Sequence, residues 1–270
     1  MTITEILDEE VLAYAKDKDR DREPKASPSS LGKCPRQLML MERGFEADPF
    51  DSRKLKVFGM GYLVEDYVLN KLGKYLVQRQ LHVRYRGISG YLDAIIDLDG
   101  KFYLIDVKSV NSMKFDFLDR EGVDEGYAMQ LTFYWMALMR GEVEMKGGWV
   151  KSSDVHSTEC LSVEPSLGLI YLEKENCMTK EMWFDPRGYE AKVEARIDLL
   201  EQIRKDEKLP PEKTEINWEC FSVSEKYKTV KVWCRWMRHC PTVCMAHEQA
   251  VKDMEIKKIA SEERKAKRSK

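Results

Sequence analysis

Apolar residues recur at helical spacing near the start of the chain, where Ile3, Ile6, Leu7, Val11 and Tyr14 mark one face of a helix over residues 1–19. A charged stretch from Lys16 to Lys25 reads as a linker. Ser29 or Ser30 can cap a following helix that carries Leu38, Leu40 and Met41. A long helix is expected over 52–76. The period then changes to two, and residues 78–86, 89–98 and 101–109 read as strands. Asp99-Gly100, set between two alternating runs, signals a two-residue hairpin. Helices at 111–119 and 124–140 follow, then strands at 145–152, 167–173 and 180–184. A helix over 187–206 is ended by Leu209-Pro210-Pro211. Residues 212–247 look irregular and cysteine-rich, and 245–265 helical. No internal repeat is visible. Strands paired in hairpins and mixed with helices predict an α/β sandwich around a mixed sheet.

Composition narrows this little. The 270 residues are 43% hydrophobic and 34% charged, enough for one good core with a small appended subdomain. No apolar run is long enough to span a bilayer. The start, Met1-Thr2-Ile3-Thr4-Glu5, lacks the basic-then-apolar pattern of a signal peptide, so a cytosolic protein is expected, in a cell or in a virus-infected one. Net charge is −2, so no global basic field advertises nucleic acid. Local basic groups do occur, at Lys226, Lys228, Lys231, Arg235 and Arg238 and in a tail from Lys257 to Lys270. The tail reads more simply as a solvated helix end than as a dedicated DNA grip.

The chemistry concentrates in the hairpin. Counting back from Leu98 opposite Lys101 sets Asp93 opposite Asp106. Like charges facing across a ladder are destabilising, which a bound cation would relieve. Lys108, two residues beyond Asp106, emerges on the same face. Two carboxylates and an ammonium at one spot are the minimum kit for metal-assisted phosphodiester hydrolysis. On the 52–76 helix, Glu65 has Phe58, Tyr62, Val68, Leu69 and Leu72 as same-face neighbours, which places it amid an apolar face. A carboxylate there must be protonated, salt-bridged or bound to metal, and a salt bridge explains Glu65 as well as a metal does. Gln130 and Tyr134 share one helix face at i and i+4.

In order along the chain stand Gly59-Met60-Gly61-Tyr62-Leu63-Val64-Glu65, Gly90-Tyr91-Leu92-Asp93, Asp106-Val107-Lys108 and Gln130-Leu131-Thr132-Phe133-Tyr134. This resembles the PD-(D/E)XK nuclease superfamily, in particular its RecB-like exonuclease branch, over roughly residues 27–247. Many members have His where this chain has Glu65. The resemblance implies a restriction-endonuclease-like α/β core with a central mixed sheet flanked by helices. It implies that Glu65, Asp93, Asp106 and the carbonyl of Val107 hold Mg²⁺ or Mn²⁺. Lys108 would orient or help deprotonate the attacking water, and Gln130 and Tyr134 would position Lys108 or the DNA backbone. The implied substrate is DNA, single-stranded or with free ends, and the implied partners are a helicase, a recombinase or a CRISPR-type protein. Domain bounds follow as an N-terminal helix and linker (1–26), a nuclease domain (27–250) and a basic tail (251–270).

Seven cysteines without a secretion signal argue against a disulfide framework. Cys220, Cys234, Cys240 and Cys244 fall close together, which suggests metal ligation. In the branch named above, one cysteine precedes the nuclease core and three follow it, holding a 4Fe–4S cluster that staples the chain ends. By that resemblance the ligands would be Cys34, in Lys33-Cys34-Pro35-Arg36, with Cys234, Cys240 and Cys244. The spacing departs from the branch pattern, and Cys220 can replace one of the three. His239 and His247 can complete a zinc site instead. Cys160 and Cys177 fit buried strand positions. The run Tyr227 to Trp236 can clamp single-stranded DNA, or its tryptophans can shield the cluster. A DNA-binding adaptor without efficient cleavage and a zinc-stabilised interaction domain are the rival readings.

Overall fold

The computed structural model describes residues 2–19, 25–145, 148–152, 166–205, 221–224, 229–232, 234–235 and 239–268. In chain order the elements are α1 (Ile3–Asp19), a 3-10 turn (Pro28–Ser30), α2 (Pro35–Glu42), α3 (Ser52–Lys71) and a second 3-10 turn (Gly73–Tyr75). Strands β1 (Leu76–Tyr85), β2 (Ile88–Leu98) and β3 (Lys101–Val110) come next, then α4 (Ser112–Glu121) and α5 (Glu125–Arg140). After them stand β4 (Glu142–Met145), β5 (Gly148–Lys151), β6 (Leu167–Glu173), β7 (Thr179–Phe184) and α6 (Arg187–Lys205). The chain closes with β8 (Phe221–Ser224), β9 (Thr229–Val232) and α7 (Pro241–Arg268). Among the described residues no helix is long and apolar enough to cross a membrane.

Two compact units share these elements. The larger is residues 1–33 with 50–202, and the smaller is residues 34–49 with 203–270. In the larger, seven strands form one sheet in the order β5-β4-β1-β2-β3-β6-β7. β3 and β6 run parallel and the other described pairs are antiparallel. The mixed α/β sheet expected from the sequence is therefore present. Asp99 and Gly100 take positive φ, 55° and 79°, as a two-residue turn that follows strand twist requires. Arg86-Gly87 does the same between β1 and β2. Arg86 is also clamped by Glu194, Asp198 and Glu201 of α6 at 2.7, 2.7 and 2.8 Å, which fixes that hairpin to the helix.

Helix α3 covers one face of the sheet. Val64, Val68 and Leu69 pack on Ala94, Ile96, Ile105 and Val107. The Asp51 carboxylate caps its start by accepting the Lys54 N–H at 2.6 Å. Helix α5 covers the opposite face and buries Leu131, Phe133, Tyr134, Met136 and Ala137, so it is apolar nearly all round. Asp124 caps it, accepting from the N–H groups of Gly126 and Tyr127. The 3-10 turn docks on α5, and a Cβ on Gly32 would lie 2.7 Å from the Gly126 Cα.

In the smaller unit α2 buries Leu38, Met39 and Leu40. Its two chain segments are tied by Arg36 donating to the His239 carbonyl at 3.0 Å and by the Asp48 N–H donating to the Arg235 carbonyl at 2.8 Å.

Some expected elements differ. Residues 145–152 are not one strand but parts of β4 and β5, with Gly148 at φ 126° between them. The helix expected to reach 76 stops at Lys71, and β1 takes over at Leu76. The stretch read as irregular holds β8 and β9, and α7 begins at Pro241, a residue suited to the first helical position.

Candidate active site

Pairing between β2 and β3 runs from Leu98–Lys101 to Ala94–Ile105. One more step would face Asp93 with Asp106, as the sequence led us to expect. Instead the Asp93 carboxylate accepts the N–H of Val107 at 2.9 Å. The two acids are neighbours by register, but the ladder ends before them.

The same row is irregular on β1. Arg79 pairs with Ala94 and Leu81 with Leu92, which leaves Gln80 opposite Asp93. Gln80 has φ 51°, in the left-handed region that glutamine rarely adopts. On one side of this row, Arg79 reaches Asp66 and Asn70 of α3, and Ala94 packs on α3. On the other side, Tyr85 meets Phe133 of α5, and a Cβ on Gly90 would lie 3.1 Å from the Tyr134 hydroxyl. Both strands therefore change faces at Gln80–Asp93. A left-handed non-glycine residue costs on the order of 1–3 kcal/mol and persists where its surroundings over-determine it.

Glu65 is half-buried and accepts from Gln80 Nε2 at 2.6 Å. The buried stripe of α3 is Val64, Val68 and Leu69, while Phe58 and Tyr62 are exposed. Glu65 thus borders the apolar face rather than sitting amid it: Val68, Leu69 and Leu72 pack in the core, but Phe58 and Tyr62, on the preceding turns, do not. Burial pushes its pKa up, against the Gln80 hydrogen bond and the Arg79 charge. Asp93 is raised more strongly, first by burial and then by the charges of Asp106 and Glu65.

Asp106 is 1% exposed. Gln130 Nε2 approaches its Oδ1 at 3.4 Å, and the Lys108 ammonium lies 2.5 Å from Oδ2. That approach is an ion pair, and it gives Oδ2 its charged partner. Burial alone would lower Lys108, but the Asp106 and Asp93 carboxylates outweigh it and hold the lysine above its ordinary value. The ammonium also sits over the Tyr127 ring, 4.7 Å from its centroid. Tyr134 is kept neutral, chiefly by burial, and hydrogen-bonds Gln130.

The structure thus brings Asp93, Asp106, Val107, Lys108, Gln130 and Tyr134 together, with Glu65 alongside. Among the described residues no three His, Cys, Asp or Glu side chains converge as a ready-made metal cage. The donors nevertheless suit a hard divalent ion. Asp106, buried, and Asp93, half-buried, are two carboxylates close enough to repel each other, and Mg²⁺ binds through one or two carboxylates while keeping several waters. Sequence reasoning missed Gln80, since nothing in a lone glutamine signals a left-handed strand residue. The glycine of the Gly90-Tyr91-Leu92-Asp93 strand is required by close packing, since a Cβ there would lie 2.7 and 2.9 Å from Cγ and Cδ of Pro28.

The cysteines lie elsewhere. Cys34 immediately precedes α2 and is half-buried, as is Cys234, while Cys240 is buried next to the start of α7. All three belong to the smaller unit. Cys177 is exposed, at φ 56° in the connection between β6 and β7, not in a strand. Cys160, Cys220, the side chain of Cys244, Trp233 and Trp236 lie outside the described residues. His239 Nε2 is 3.0 Å from the Glu46 carbonyl, the geometry of a donated hydrogen bond, which commits that nitrogen away from a metal.

A family model described as the PD-(D/E)XK nuclease superfamily matches residues 22–242. No curated protein sequence matches the chain. Among solved structures it is similar to SSO0001, at 18% identity over 89% of this chain and 97% of that one, with a TM-score of 0.42. It is also similar to an alkaline exonuclease from Laribacter hongkongensis, at 12% identity over 73% of this chain and 93% of that one, with a TM-score of 0.43.

Proposed function

The chain belongs to the PD-(D/E)XK nuclease superfamily, and from that premise we propose that it is a Mg²⁺- or Mn²⁺-dependent deoxyribonuclease, an exonuclease acting on single-stranded DNA or on DNA ends. The observation that carries this reading is Asp106, a carboxylate only 1% exposed and ion-paired with Lys108, one step in register from Asp93. In this reading Glu65, Asp93, Asp106 and the Val107 carbonyl would hold the ion. When bound it would supply Lewis-acid charge for water activation and against the phosphorane. Without the ion, the Asp106 and Asp93 carboxylates hold Lys108 above its ordinary pKa. With their charge taken up by the ion, Lys108 would orient or help deprotonate the attacking water and offset charge on the phosphate. Gln130 and Tyr134 fix the Asp106 carboxylate from α5. The test is cleavage of end-labelled single- and double-stranded DNA with Mg²⁺ or Mn²⁺. Asp106→Asn should fall below about 1% of wild type while keeping its fold. Wild-type cleavage in that variant would remove Asp106 from the site, and DNA binding without cleavage by the wild type would leave a binding adaptor.

For the smaller unit the reading is a 4Fe–4S cluster held by Cys34, Cys234, Cys240 and Cys244. Its support is that the Cys34 segment and the C-terminal cysteines belong to one unit, and that thiolate-only donors suit iron–sulfur or zinc. Anaerobically purified protein should be brown, with about four irons per chain, and Cys34→Ser should bleach it. Colourless protein with one zinc would replace the cluster and leave the nuclease reading standing.

A further inference from the structure

The sheet row beyond Asp93 is aromatic. His82 and Tyr91 pair across β1 and β2, and their rings stack at 4.2 Å and 12°. Trp149 of β5 meets His82 edge-on at 4.6 Å, and the Arg84 guanidinium lies over Trp149 at 4.3 Å. Glu144, opposite Trp149 on β4, is hydrogen-bonded to His82 Nδ1 at 2.7 Å. The row thus crosses β2, β1, β4 and β5, and it begins two residues from Asp93.

Cross-strand stacking is a common way to stabilise a sheet, but two observations exceed it here. Tyr91 has one face on His82 and is still 54% exposed, so much of its ring buries nothing. The face change at Gln80–Asp93 then decides which side the row occupies. Without the left-handed Gln80, alternation from Arg79 would turn His82 and Tyr91 toward α5. With it, they emerge on the side of Glu65 and of Tyr62, which lies one turn before Glu65 and is 66% exposed. The left-handed residue thus sets the aromatic row on the face of the sheet that carries Glu65.

We propose that Tyr91, backed by His82 and Trp149, is a stacking platform for an unpaired base of single-stranded DNA that reaches Asp93, two residues along β2, from the Glu65 side of the sheet. The proposal rests on the nuclease reading and names its substrate class. An aromatic face accepts any base but cannot take one still stacked in a duplex. Glu144 occupies His82 and Glu142 occupies Arg84, so the grip is stacking rather than charge.

The experiment is anisotropy binding of a labelled oligothymidylate and of a blunt duplex to the full chain in EDTA. It compares wild type, Tyr91→Ala and Tyr91→Phe at about 50 mM and about 200 mM salt. Tyr91→Ala should weaken single-strand binding about tenfold at both salts and leave duplex binding within twofold. Tyr91→Phe should behave as wild type. Equal single-strand affinity in all three proteins overturns the platform, and so does an equal loss on both DNAs accompanied by a lowered Tm. A wild type that neither binds nor cuts DNA overturns the nuclease reading itself. One that binds and cuts, with Tyr91→Ala unaffected, overturns the platform alone.

Discussion

Gly90 has no room for a methyl group, since the Pro28 ring and the Tyr134 hydroxyl occupy that space. Gly90→Ala should therefore cost about 1–3 kcal/mol in urea unfolding. It should also cut cleavage, because Tyr134 would have to move. A variant as stable as wild type would show that the Pro28 turn yields freely. Gln80 separates backbone from side chain. Gln80→Gly relieves the left-handed φ, so it should be stabilised by about 1 kcal/mol or more. Gln80→Ala keeps the strain and should not gain. Both lose the bond to Glu65 and should bind Mn²⁺ about tenfold more weakly by calorimetry, with Gln80→Asn intermediate. Unchanged Mn²⁺ affinity in both would leave Gln80 a purely structural residue. None of this was legible beforehand, because φ at a polar strand residue is set by its neighbours in space. The Asp-x-Lys pair was legible, since alternation alone puts Asp106 and Lys108 on one face.

At the scale of elements, the β2–β3 hairpin was readable because Asp99-Gly100 marks a turn between alternating runs. The β4–β5 pair was merged because its strands are short. The apolar face of α3 was read too long at its start, since Phe58 and Tyr62 remain exposed while Val68, Leu69 and Leu72 pack in the core. The junction of β2 with β3 makes its own prediction. Asp93 and Glu65 bind a proton more tightly folded than unfolded. Their contribution to metal-free stability is full below the ordinary carboxylate pKa and is lost as pH rises through the raised folded values. A divalent ion needs the ionised forms. The gain in Tm on adding Mn²⁺ should accordingly grow between about pH 5 and about pH 8, and Asp106→Asn should flatten that growth. A gain independent of pH would show that these carboxylates are not the ligands.

Over the whole molecule, the mixed sheet and the family were legible because four short motifs stand in order. The cysteine ligand set was not, since sequence spacing says nothing of where long connections bring thiols. The sheet order also has a kinetic meaning. β3 acquires β2 through a two-residue turn, but acquires β6 only after the chain has travelled from Asn111 to Ser166. Local pairing precedes distant pairing when chain closure sets the pace. Asp93 and Asp106 are thus brought side by side early, before the parallel strand arrives to hold them. Their repulsion opposes the first productive encounter, so Mg²⁺ should raise the refolding rate of wild type and not that of Asp106→Asn in stopped-flow. If the ion slows unfolding alone, the hairpin is not yet formed at the barrier. If it speeds refolding, the ion that serves hydrolysis also assists the chain's assembly.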